Sequence, residues 1–198
     1  MQFPLSYPLT FSFKIVAFAP QFSVRDSKGV LIAYVKQKLF KLKEAVTVFA
    51  DEGQTQPTYT LKADRIFDFS ARYHLADAGG ADLGSVKRQG MRSLWKAHYD
   101  ILEGETAVMN IREENVWVKV IDALFSEIPI LGMFSGYIFQ PAYLVSRASG
   151  EVVMRMQKQP AFFEGKFAVE RKGLLGEAEE RRILLSLMMM LLLERARG

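Results

Sequence analysis

The 198-residue chain has no cysteine. A disulfide scaffold is therefore excluded, and so is a zinc finger or ribbon, which needs thiolate ligands. Only two histidines, His74 and His98, are present, too few for a His-rich metal site. Long apolar runs are missing as well. The longest, Ile183 to Leu193, is 11 residues with Ser186 inside it. As a helix it would be about 16 Å long, roughly half the hydrocarbon thickness of a bilayer. No transmembrane segment is expected. Basic residues are absent before Lys14, and Met1 to Pro8 carries two prolines, so neither the positive start nor the apolar centre of a secretory leader is there. A cytoplasmic location is the expectation. Charge of one sign is nearly absent too: 26 Lys and Arg against 22 Asp and Glu give +4, which does not by itself indicate nucleic acid.

What is present is core material. Hydrophobic residues make up 49% of the chain and aromatics 12%, a composition that excludes disorder and suits one domain over 1–198.

The chain resembles itself in three places, near 22–38, 73–89 and 143–159. Each segment is organised around a glycine: Gly29, Gly80 and Gly150. An aromatic lies seven residues before it (Phe22, Tyr73, Tyr143) and an aliphatic five before (Val24, Leu75, Val145). An apolar residue lies six after (Val35, Val86, Met156), followed by a polar, mostly basic run. The alternation has the period of a strand with one buried face. The short polar loops place glycine where a positive φ is needed. Each unit is predicted to be a β-hairpin, and the shared spacing to reflect a true repeat.

Leu9 to Phe18, Ala45 to Ala50, Tyr59 to Phe69, Arg92 to Ile101, Thr106 to Arg112 and Ala161 to Glu170 also read as strands, rich in β-branched and aromatic residues and bounded by turns. About a dozen hairpin-linked strands indicate an antiparallel barrel or sandwich.

Two stretches are helical. From Asn115, a plausible N-cap, Trp117, Val120, Ile121, Leu124 and Ile128 form a stripe that Pro129 ends. This predicts a short surface helix near 115–127. Near 177–196, Glu177, Glu179 and Glu180 lead in while Arg195 and Arg197 lead out, which complements the helix dipole. Between them the residues are apolar on every side, and such a helix must be surrounded. Burying its side chains contributes on the order of 15–30 kcal/mol gross. A closed antiparallel barrel wrapped around a central hydrophobic helix satisfies that demand.

With these elements the chain resembles the tubby C-terminal-like superfamily, which includes tubby proteins, phospholipid scramblases and LURP-one-related proteins. Tyr34 to Glu44, Ala63 to Phe69 and Gly90 to Lys96 look most like the bacterial LURP-one-related branch. Likeness runs from Leu9 to Gly198. It implies a twelve-stranded barrel around a central helix and a membrane-phospholipid or phosphoinositide partner. It carries no catalytic motif, and none of tubby's headgroup-binding residues is transferred.

Motifs for chemistry fail. There is no P-loop, dinucleotide fingerprint, His-Glu-x-x-His or EF-hand. Gly132 to Gly136 places Ser135 one residue late for a nucleophile elbow. Asp64 and Asp68, four apart in a strand, would lie about 13 Å apart, too far for a glycosidase pair. Glu113 and Glu114 read as a helix lead-in, His74 as an outward strand residue, and His98 as hydrogen-bonded. Met188 to Met190 reads as core filling. No catalytic residue, metal site or cofactor is expected.

The basic runs are the positive signal. Lys36, Lys38, Lys41 and Lys43 precede any acid, as do Lys87, Arg88, Arg92 and Lys96. Their equivalent places after two hairpins would bring them to similar heights. Such a patch attracts anionic headgroups at about 1 kcal/mol per basic residue, although lysines also guard strand edges. Nucleic acid is not expected, since the interleaved aromatics face the core and no recognition motif is present. The reading is a non-enzymatic domain, peripheral to a membrane through anionic phospholipid headgroups. The rivals are a protein-interaction scaffold and, less favoured, an enzyme with a pocket at the barrel edge.

Overall fold

A computed structural model describes residues 1–14, 21–36, 45–64, 71–89, 98–114, 141–161 and 164–195. The predicted surface helix near 115–127 lies outside them, as do the far ends of several predicted strands.

Twelve strands close into an antiparallel barrel. They are β1 (Leu9–Lys14), β2 (Gln21–Arg25), β3 (Leu31–Lys36), β4 (Ala45–Phe49), β5 (Pro57–Ala63) and β6 (Arg72–Asp77). There follow β7 (Asp82–Arg88), β8 (His98–Glu103), β9 (Thr106–Glu113), β10 (Ala142–Arg147), β11 (Val152–Gln159) and β12 (Glu164–Arg171). Neighbours in sequence are neighbours in space, and β1 pairs with β12 to complete the ring. Closure leaves no strand at a sheet edge, although β3 and β4 meet through one register pair, Tyr34 with Phe49. Asp64, expected within a strand, sits just past the end of β5, where its carboxylate accepts the Arg72 amide at 3.0 Å.

The three glycine-centred hairpins are β2–β3, β6–β7 and β10–β11, and their registers coincide. Phe22 faces Val35, Tyr73 faces Val86, and Tyr143 faces Met156. Each has a bulge directly after its aliphatic residue, at Val24/Arg25, Leu75/Ala76 and Val145/Ser146. Gly29, Gly80 and Gly150 adopt φ of 81°, 86° and 89°, and each amide donates to the carbonyl three residues earlier. In the first two turns an aspartate completes the loop: Oδ1 of Asp26 accepts from Lys28 and Val30, and Oδ1 of Asp77 from Gly79 and Ala81. The third turn has Arg147 at that position. Its guanidinium reaches away to Glu151, Glu179 and the Leu174 carbonyl, tying the turn to the start of the C-terminal helix.

That helix, α1 (Glu177–Arg195), carries three glutamates in its first turn and Arg195 in its last. Glu179 caps its start by accepting the Gly176 amide. From Ile183 to Leu192 every residue is at most 4% exposed, so protein encloses all sides of the helix. These side chains belong to one cluster with the inward residues of the strands, among them Phe11, Phe22, Val46, Leu61, Ile101 and Val169. Ser186 avoids an unsatisfied hydroxyl by donating to the Arg182 carbonyl.

One helix residue enters the barrel wall. Arg182, with a side chain 9% exposed, donates from Nε to the Leu83 carbonyl at 2.6 Å and pairs with Glu103. Gly84, at φ 108°, makes room. A Cβ there would lie 2.8 Å from Arg182 Nε and inside contact distance of the Leu102 carbonyl oxygen. At Gly29 a Cβ meets nothing within 4 Å. Gly29→Ala is therefore expected to cost about 1–2 kcal/mol, the backbone penalty alone. Gly84→Ala is expected to cost about 3 kcal/mol or more, because overpacking adds to the same penalty. Urea midpoints of the two variants measure the difference, and equal losses would contradict it.

Candidate functional site

Antiparallel order gives the barrel two unlike rims. One carries the tight turns of β2–β3, β4–β5, β6–β7, β8–β9 and β10–β11. The other is where β1, β3, β5, β7, β9 and β11 end, and is here called the open rim. The helix begins at the turn rim, where Arg147 meets Glu179. It ends at the open rim, where Tyr99 donates to Glu194 and Arg195 lies 5.5 Å over the Phe13 ring.

Charge is shared unevenly between the rims among the described residues. Asp26, Asp51, Glu52, Asp77, Asp82, Glu103, Glu151, Glu177 and Glu179 lie at the turns, the adjoining strand ends and the helix start, where Arg25, Lys28, Arg147 and Lys172 are fewer. Lys14, Lys36, Lys87, Arg112, Lys158 and Lys166 are exposed towards the open rim, where Asp64, Glu113 and Glu114 are fewer.

The predicted basic residues fall into three groups. Lys36 ends β3, exposed and pointing outward because its neighbour Val35 points in. Through Gln21 it aligns with Lys14, whose own partner on β12 is Glu164; Lys166 lies two residues along β12, opposite Ser12. Neither Lys14 nor Lys166 was singled out from sequence, since each is a lone base in its own segment and only register collects them. Lys87 is exposed on β7, at the register position equivalent to Lys36 but four strands away, so the two do not form one patch. The acid-free stretch around it also gains acids in space: Asp100 is its partner on β8. Glu105, held below the usual carboxylate range chiefly by its bonds with Arg72, feels Lys87 as well. Arg88 points inward. Its side chain is 14% exposed, lies 5.9 Å over the Tyr99 ring and stands 3.7 Å from Glu194. Lys38, Lys41, Lys43, Arg92 and Lys96 lie outside the described residues.

Sequence reading missed the arrangement at the two helix ends. At the turn rim Tyr7 donates to Glu180 at 2.6 Å, Arg171 lies 5.6 Å over the Tyr7 ring, and Arg171 stands 3.8 Å from Glu180. At the open rim Tyr99, Glu194 and Arg88 repeat the same three contacts. A phenol hydrogen bond neutralises the desolvation of each glutamate, and the arginine adds opposite charge. Burial and the glutamate together push both phenols well above their usual range. Tyr143, beside Glu113 and Glu194, is pushed up to about 12, mainly by burial. The sequence held one clue, glutamates bracketing an apolar helix, but nothing local paired them with Tyr7 and Tyr99.

His98 is tied rather than poised. Burial, then Arg112, pulls its pKa down against the opposing pull of Asp100. The neutral ring accepts from Arg112 Nε at 3.3 Å. Glu114, expected to lead into a helix, accepts both Nε and an Nη of Arg155. Among the described residues no group of His, Asp and Glu could hold a metal ion. No helix there is long and apolar enough to cross a membrane.

A closed twelve-stranded antiparallel barrel with an enclosed C-terminal helix is thus the class of domain. A sequence profile of the LURP-one-related family matches residues 31–170; the chain belongs to that family. A crystal structure of an Arabidopsis thaliana protein is similar in fold, with a TM-score of 0.50 over 98% of this chain and 94% of that one, at 17% identity. No curated protein matches the chain.

The raised phenols make stability fall in alkali. A group whose folded pKa exceeds its unfolded value stabilises fully below the unfolded value and loses that contribution as pH rises through the folded one. For Tyr143 the window runs from about 10 to about 12. Tyr143→Phe is expected to flatten the decline of the urea midpoint across that window and to leave the slope below pH 9 unchanged. An unaltered decline would show that Tyr143 is not a source of it.

Proposed function

We propose that this chain is a tubby-like domain, its helix threaded along the barrel axis, that docks without catalysis onto anionic membrane phospholipid through the open rim. The observation that carries this reading is the division of charge between rims. A membrane with anionic lipid attracts basic residues within a Debye length of its surface and repels acidic ones. A barrel basic at one end and acidic at the other is therefore oriented by the field, open rim down. Lys36, Lys14 and Lys166 lie on β3, β1 and β12, with β2 between the first two, and Lys38, Lys41 and Lys43 follow Lys36 in the sequence.

The other features agree. The apolar helix is consumed by the core, so binding must come from surface charge and be peripheral. The polar groups at the helix ends satisfy one another, which leaves them structural rather than catalytic. A cytoplasmic protein that meets the inner leaflet fits this reading.

The test is co-sedimentation with vesicles containing phosphatidylserine or a phosphoinositide. Lys14→Glu/Lys36→Glu/Lys166→Glu is expected to weaken binding by about 100-fold or more, from roughly 1 kcal/mol per basic residue lost. Glu52→Lys, a charge change at the turn rim, is expected to leave binding undiminished. High salt should release the wild type. Absence of binding to every anionic vesicle would defeat the lipid reading and leave a protein-interaction scaffold that presents the turn rim.

A further inference from the structure

The structure assigns to residues 3–8 a role independent of membrane docking: they form a lid that closes the turn rim over the first turn of α1 and can lift without opening the barrel.

The segment before β1 has no strand or helix of its own. It crosses the turn rim and is held there by side chains. The Phe3 ring lies 5.2 Å beneath the Arg181 guanidinium. Leu5 and Tyr7 pack against the core cluster. Tyr7 donates to Glu180, and Arg171 covers its ring. Among the described residues the lid's backbone is tied to the barrel by a single hydrogen bond, from the Ser27 amide to the Ser6 carbonyl at 2.9 Å. Beneath it Glu180 is only 3% exposed.

Two physical features make this the element that moves. Every strand is bonded on both sides, so releasing one breaks two ladders and opens the ring. Releasing the lid breaks none. The groups it covers at the helix start are also polar. Glu180 and Arg181 lose protein partners when the lid lifts, but water replaces them at once, unlike the apolar residues from Ile183 onward. Local opening of this kind lies at the low end of the free-energy scale, where few ladder bonds and little apolar surface are lost. Lifting uncovers Glu180, which then joins Glu177, already exposed, and the partly exposed Glu179. The lid thereby governs whether one further carboxylate of the helix start faces water at the end of the barrel opposite the basic rim.

Native-state hydrogen exchange on the full chain reads the motion at two amides. That of Ser27 bonds the lid, and that of Glu180 bonds the helix's first turn at the Gly176 carbonyl. In the wild type Ser27 is expected to exchange at least 100-fold faster than core amides such as those of Val86 and Ile101. Its rate should be insensitive to sub-denaturing urea, because a local opening exposes little surface. Tyr7→Phe is expected to accelerate Ser27 and Glu180 by about tenfold or more, the loss of a hydrogen bond to a charged group, with urea insensitivity retained. Phe3→Ala, which removes the ring under Arg181, should act in the same direction. If Ser27 exchanges at the core rate, or its exchange rises with urea as steeply as that of Val86, the segment is part of the cooperative fold and is no lid.

Discussion

The fold depends on hiding one apolar helix. Ile183 to Leu192 presents hydrophobic side chains around its whole circumference, and a globular domain has few ways to enclose such a cylinder. A flat sheet covers one side of it and a sandwich flattens it out. A closed sheet can turn its apolar face to every side of such a cylinder, and the helix's side chains share one cluster with the inward residues of the strands. The strands then need only one apolar face each, which accounts for their alternation. The rest of the chain's regularity, including three hairpins at four-strand intervals, follows from going round that cylinder.

Enclosure sets a problem at the ends. Helix termini carry unsatisfied backbone groups and, in this chain, charges: Glu177, Glu179 and Glu180 at one end, Glu194 and Arg195 at the other. Both ends solve it with the same three residue types. A tyrosine hydroxyl bonds a glutamate, and an arginine lies over the tyrosine ring within reach of that glutamate. The two sets fix the helix along the barrel, since a slide of one turn would break both. Arg182 adds a third fixed point through the Leu83 carbonyl and Glu103, and Gly84 is the concession the wall makes to it.

The barrel itself was legible because its signals are local. Strand alternation, the glycine at fixed distance from an aromatic, and acids before and bases after an apolar run can all be read within twenty residues. The registers pair the very residues the spacing picked out, Phe22 with Val35 and Tyr73 with Val86. The candidate site was legible only in part because charge is a property of space. Lys87 and Arg88 sit in an acid-free stretch of chain, yet Asp100 and Glu194 stand beside them in the fold. Lys14 and Lys166 look unremarkable in sequence and join Lys36 only through strand order. Arg88 shows a second reason: in a strand, neighbours face opposite ways, so one of two consecutive bases is always turned inward. A run of charges on a barrel strand overstates the surface charge by the share that alternation sends inside.

The same alternation bears on how a barrel of this kind acts on a partner. Some acids and bases pair around the wall across an intervening strand: Arg155 of β11 reaches Glu114 just past β9, and Arg72 of β6 reaches Glu105 in the β8–β9 turn. The turn rim pairs part of its charge, Arg25 with Glu52 and Arg147 with Glu151 and Glu179, and still holds more acids than bases among the described residues. Among the described residues the excess is acidic at the turn rim and basic at the open rim, and the helix begins at the first and ends at the second, its dipole positive at the acidic end and negative at the basic end. The dipole opposes the side-chain charges at each end, lowering the self-repulsion of both rims at short range. At longer range the side chains carry whole charges and dominate. An approaching charged surface thus meets an object with a direction, even though the chain's total of +4 is small.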